Sequence, residues 1–182
     1  MNTDHKLYPS IIKLAGATGL FLLIPFIAMQ LTGEVNWTPS DFVIAGTFLF
    51  GTGLAYKLIT RTSDNTVYRI AIGFALFTGL FLLWVNGAVG IIGSENNPVN
   101  LLYFVVIAVG IIGALLARFQ AKRMVYTMLA MAVVQALIAA IALVGGFYQS
   151  PSDSVIHIIG INGFFMFLFI VSALLFRYAM PD

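Results

Sequence analysis

Six long apolar runs alternate with short polar segments along the chain, at roughly 11–31, 41–60, 68–92, 100–118, 124–146 and 154–177. A helix needs about 20 apolar residues to cross the hydrocarbon core of a bilayer. The runs are continuous rather than alternating, which speaks against a β-barrel. Most of the Pro, Asn, Asp, Ser and charged residues fall between them. The pattern predicts an all-α integral membrane protein with six transmembrane helices in a single domain, residues 1–182, and nothing over for a soluble domain. The first run ends in Ala28-Met29-Gln30-Leu31-Thr32 without a small-x-small cleavage pattern, so it reads as a retained helix rather than a signal peptide.

Composition supports this. Of 182 residues, 60% are hydrophobic and 9% charged, and mean hydropathy is +1.00. A soluble domain is about a quarter charged. Too few charges exist to coat a water-facing surface, so the partner is the lipid bilayer. A cytosolic enzyme, a nucleic-acid-binding domain and a disordered regulator are excluded. The absence of cysteine excludes disulfides, thiolate metal sites, iron–sulfur clusters and Cys nucleophiles.

Charge placement predicts orientation. Lys6 and Lys13 lie at the N-terminal end, and Lys57, Arg61 and Arg69 at the second connection. Arg118, Lys122 and Arg123 lie at the fourth, and Arg177 at the C-terminal end. These nine are all the basic residues of the chain. All fall on one side of a six-helix topology, so both termini are expected in the cytoplasm. Glu34, Asp41, Glu95 and Asp153 fall on the other side.

Three kinds of internal match suggest a repeat. Thr18-Gly19-Leu20-Phe21-Leu22-Leu23 recurs as Thr78-Gly79-Leu80-Phe81-Leu82-Leu83. The even helices end alike, in Leu54-Ala55-Tyr56-Lys57, Leu115-Leu116-Ala117-Arg118 and Leu174-Leu175-Phe176-Arg177, each preceded by two small residues. The connections on the acidic side share a Gly followed by a Pro, at Gly33 and Pro39, Gly93 and Pro98, and Gly145 and Pro151. The expectation is three parallel helical hairpins at 8–61, 68–119 and 124–178. Convergence within a small apolar alphabet is the competing explanation. Gly110-x-x-x-Ala114, Gly113-x-x-x-Ala117 and Ala75-x-x-x-Gly79 read as packing faces. Gly87, Gly90 and Gly93 are expected near one face at the far end of helix 3, and Pro25 is expected to kink helix 1.

No Asp, Glu, Lys or Arg lies deep within a run. This speaks against a retinal-type pump and an antiporter built on a core carboxylate. Only His5 and His157 are present, too few for a bis-His haem between helices or a three-His metal site in one chain. No cofactor, metal site or catalytic residue is expected, and no enzyme signature is present.

Uncharged polar residues carry what remains. Thr18, Gln30, Thr47, Thr52, Thr78, Asn86, Thr127, Gln135, Asn162 and Ser172 lie within the runs. Interhelical hydrogen bonding accounts for many such residues. The densest polar segment is Ser94-Glu95-Asn96-Asn97-Pro98-Val99-Asn100, after Trp84 and Asn86. With His157 and Trp37 it reads either as an outward cup that attracts cations or as an ordinary turn, with Asn97 or Asn100 capping helix 4. The candidate ligand- or solute-binding residues are Asn86, Glu95, Asn96, Asn97, Asn100, His157 and Asn162.

The segment from Trp84-Val85-Asn86-Gly87 through Ile91-Ile92-Gly93-Ser94-Glu95-Asn96-Asn97-Pro98 resembles part of a bacterial family of small inner-membrane proteins. The similarity runs from Trp37-Thr38-Pro39-Ser40-Asp41 to Leu174-Leu175-Phe176-Arg177. It implies a bacterial inner membrane and assigns no activity. Two functional expectations follow. One is binding or transport of a small solute or cation from the non-cytoplasmic side. The other is a non-catalytic accessory subunit of a larger membrane complex, as a homo-oligomer or with a membrane-protein partner. An enzyme acting at the interface on a lipophilic substrate would have His157 as its acid–base group.

Overall fold

The computed structural model describes residues 4–33, 35–93, 96–147 and 154–180, with side chains from Ser10 onward. The elements are α1 (Asp4–Leu31), α2 (Pro39–Thr60), α3 (Thr66–Ala88), a 3-10 turn (Pro98–Leu102) leading into α4 (Tyr103–Leu116), α5 (Ala121–Val144) and α6 (Val155–Tyr178). No strand occurs among the described residues. Among the described residues six spans are long and apolar enough to cross a membrane. The chain is an all-α, multi-pass membrane protein. It divides into two compact units, residues 1–58 and 59–182.

The first unit is an antiparallel helical hairpin. The Lys57 ammonium donates to the carbonyl and hydroxyl oxygens of Ser10. Further along, Gly53 faces Leu14 and Gly46 faces Leu22, and the Phe26 and Phe42 rings meet edge to face at 6.4 Å. The two glycines provide the room that lets the leucines seat against α2. Thr38 starts α2: its N–H and hydroxyl donate to the Asp41 carboxylate at 2.7 and 2.8 Å. This is a capping-box arrangement that satisfies backbone left unpaired at a helix start. α1 is a single helix through Pro25.

In the second unit α5 lies along α6, while α3 packs against α6 and α4 against α5. α3 and α4 touch each other little. A Cβ added at Gly110 would meet Met131, and one at Gly113 would meet Thr127. The small face of α4 is therefore filled by α5. The glycines of α2, by contrast, are filled by the helix that precedes them. Phe165, Phe169, Phe176, Met128, Met131 and Ile138 are buried at the centre.

The end of this unit that carries the basic residues is tied by two side chains. Asn65 caps α3 by accepting the Tyr68 N–H at 3.0 Å, and its amide donates to the Ala179 carbonyl at 3.1 Å. One residue thus satisfies a donor at a helix start and an acceptor at the end of α6. The Tyr68 hydroxyl donates to the Phe119 carbonyl at 2.6 Å. Arg118 and Phe119 both have positive φ, 48° and 56°, and the Phe119 N–H returns to the Ala114 carbonyl at 3.2 Å. α4 therefore ends in a left-handed turn built without glycine.

The third apolar run does not stay helical to residue 92. α3 stops at Ala88. Gly90 and Gly93 take φ of 72° and 73°, values open to glycine at little cost. They reverse the chain instead of lining a helix face with Gly87. Ile91 and Ile92 are fully buried within this reversal. Hydropathy could not separate them from the helix, because a buried turn and a spanning helix draw on the same apolar residues.

Candidate functional site

The reversal after α3 brings a set of amides into the second unit. Ile91 and Ile92 have left the helix, so their backbone groups need new partners. Asn100 supplies them. Its Oδ1 accepts from the N–H groups of Ile91 and Ile92 at 3.2 and 2.9 Å, and its Nδ2 donates to the Ile92 carbonyl at 3.1 Å. Asn86, at the end of α3, donates from Nδ2 to the Asn100 carbonyl at 3.2 Å. Asn97 caps the 3-10 turn by accepting the Val99 N–H at 3.0 Å.

Tyr103 follows Asn100 by one turn and points to a second cluster. Its hydroxyl donates to Asn162 Oδ1 at 3.0 Å, and Gln135 Nε2 donates to the same oxygen at 3.0 Å. Asn162 Nδ2 donates to the Ile158 carbonyl of its own helix at 2.9 Å. Tyr103 and Gln135 are 0% exposed and Asn162 is 1% exposed. Asn162 lies about two turns inside α6, and Gln135 about two and a half turns from the end of α5 at Val144. The amides thus form two steps, Asn86 with Asn100 near the helix ends and Asn162 with Gln135 deeper. The Asn100–Tyr103 segment joins them.

The network fixes which way each amide faces. Asn162 Nδ2 is committed to a carbonyl, so its Oδ1 must be the atom facing Gln135. Gln135 then has to present Nε2 to it, which turns Oε1 away. Asn86 presents Nδ2 to the Asn100 carbonyl, which likewise turns its Oδ1 away. These two atoms, Gln135 Oε1 and Asn86 Oδ1, are buried without a hydrogen-bond partner. An unpaired buried acceptor costs about 1–3 kcal/mol. Both unfilled valences are carbonyl oxygens, so what completes them is a hydrogen-bond donor or a cation.

Other polar residues in the spans of this unit are satisfied locally. The hydroxyls of Thr78, Ser172 and Thr127 donate to the carbonyls four residues earlier, Phe74, Leu168 and Arg123.

The sequence candidates therefore separate. Asn86, Asn100 and Asn162 are buried in the amide steps. Asn97 is a half-buried cap, and Asn96 is exposed in the turn. His157 is exposed in the first turn of α6, its N–H donating to the Ser154 hydroxyl at 3.1 Å. Glu95 lies outside the described residues. Among the described residues no group of three or more His, Cys, Asp or Glu is placed to hold a metal. Gln135 and Tyr103 were not among the candidates. The available signal for Gln135 was its place as a lone amide deep in an apolar helix. Tyr103 gave none, because a tyrosine near a helix start is ordinary at a membrane interface.

In comparisons with known proteins, no family model, curated protein or solved structure matches the chain.

Proposed function

We propose that this chain binds a small solute or cation from the non-cytoplasmic side of a bacterial inner membrane, with both termini cytoplasmic, and passes it toward the bilayer interior. The single observation that carries the reading is the pair of orphaned buried oxygens, Asn86 Oδ1 and Gln135 Oε1. A packing role alone is served by polar groups that find partners within the protein, as the Thr78 and Ser172 hydroxyls do on carbonyls of their own helices. These two amides instead face an acceptor toward no protein donor. Buried unsatisfied groups persist where something outside the chain completes them. The clustering of basic residues on one side supports the orientation. Asn86 and Asn100 lie at the opposite end of the unit from its basic residues, the end at which a solute from that side would arrive.

Uptake assays in proteoliposomes test this. The purified full-length chain is reconstituted, and entry of a panel of uncharged solutes and monovalent cations is followed. At least one solute should enter faster than into protein-free vesicles, and Asn86→Ala and Asn162→Ala should slow it severalfold. Uptake and binding unchanged by both substitutions across the panel would overturn the proposal.

A further inference from the structure

The reading above leaves the chemistry of the solute open, and the amide of Gln135 narrows it. We infer that the deep step takes a small uncharged solute bearing a primary amide or urea group; the inference rests on the proposed solute site. Three observations carry it.

The first is the unspent valence. Gln135 is 0% exposed, and its Oε1 has no partner. Its Nε2 carries two hydrogens, and the bond to Asn162 uses one. What the side chain offers is an acceptor and an N–H on one planar group. A primary amide or urea presents the complementary pair, N–H and C=O on one plane. An alcohol carries its donor and acceptor on a single oxygen and cannot match the two separate atoms of the planar group, and a bare metal ion offers no acceptor to the N–H.

The second is the absence of charge. No Asp, Glu, Lys or Arg occurs between Arg69 and Glu95, between Glu95 and Arg118, between Arg123 and Asp153, or between Asp153 and Arg177. The spans of this unit therefore carry no counter-charge at the depth of Gln135 and Asn162. A cation brought there would lose its hydration without an opposite charge to offset the loss. A neutral amide avoids that cost.

The third is rigidity. Asn162 Oδ1 receives two donors while its Nδ2 is committed to Ile158. Asn162 cannot rotate its amide without breaking all three bonds, so it holds the Gln135 amide in one orientation. The site is set before a solute arrives, which lowers the ordering cost of binding.

Saturation-transfer NMR on the purified full-length protein tests the inference, with acetamide and methylammonium as probes. Gln135→Met removes the amide at similar volume. Gln135→Asn withdraws it by one methylene and serves if the first variant does not fold. Acetamide should receive saturation from the wild-type protein and lose at least fivefold of it in either folded variant, and methylammonium should receive none. Saturation of methylammonium that depends on Gln135 overturns the uncharged class while leaving a solute site in place. Acetamide saturation that is absent, or equal in wild type and folded variants, overturns the inference. The proposed function then stands or falls separately on the Asn86 and Asn162 uptake assays.

Discussion

The Gln135 amide nitrogen donates to Asn162 Oδ1 across the α5–α6 interface at 3.0 Å, while the Gln135 oxygen has no partner. The two residues are thus unequal. Both polar atoms of the Asn162 amide are bonded, whereas only the nitrogen of Gln135 is. Asn162→Leu removes the acceptor shared by the Tyr103 hydroxyl and the Gln135 amide, so it should destabilise the protein by about 1–3 kcal/mol. Gln135→Met removes an orphaned atom and leaves Asn162 bonded to Tyr103, so it should stay within about 1 kcal/mol of wild type, in line with the modest worth of interhelical hydrogen bonds in membranes. Reversible unfolding in mixed micelles measures both. Equal losses would show that the pair is a plain structural bond.

Asn100 carries the reversal after α3. Its side chain makes three bonds to the backbone of Ile91 and Ile92. Asn100→Leu is close in volume but leaves two N–H groups and a carbonyl buried and unpaired. A loss of about 2–4 kcal/mol is expected, since each orphan costs about 1–3 kcal/mol before relaxation. Amide hydrogen exchange should rise at Ile91 and Ile92 while α5 stays protected. Unchanged protection there would contradict the assigned role.

The glycines divide by what they face. A Cβ at Gly113 would lie 2.6 Å from Thr127 Cγ2, whereas one at Gly163 meets nothing within 4 Å. Gly113→Ala should therefore push α4 off α5 and cost about 1–3 kcal/mol. Gly163→Ala should be neutral or stabilising by up to about 1 kcal/mol, the helix-propensity gain of alanine over glycine. The same unfolding assay separates them, and the opposite ranking would refute the α4–α5 contact.

The α4–α5 turn is built from Arg118 and Phe119 in the left-handed region, where a residue with a Cβ is disfavoured by about 1–2 kcal/mol. Arg118→Gly should relieve part of this and raise stability, with the gain capped near 1 kcal/mol by the added freedom of the unfolded chain. A loss of stability would mean that the arginine side chain contributes more than its backbone costs.

Much of the architecture was legible because membrane spans are written in long apolar runs, and five of the six ended within a few residues of the observed helices. The third did not. Ile91 and Ile92 read as helix because burial, not helicity, is what their side chains report, and the spacing of Gly90 and Gly93 from Gly87 reads as one helix face although their φ is positive. The candidate site was legible in part for a related reason. Asn86, Asn100 and Asn162 stand out against apolar neighbours. Their pairing depends on how α3, α5 and α6 face one another, and no local signal encodes that. Asn96 and His157 share a polar character with them, but lie on exposed turns. Gln135 was visible as a lone amide, yet its significance lies in an unpaired oxygen, which only the assembled network of Asn162 and Tyr103 defines.

The most direct test of the account is solute uptake by proteoliposomes containing Gln135→Met, the variant expected to match wild type in stability. The account predicts uptake at the rate of protein-free vesicles, with the wild-type protein severalfold faster. Wild-type uptake retained by a folded Gln135→Met protein would contradict it.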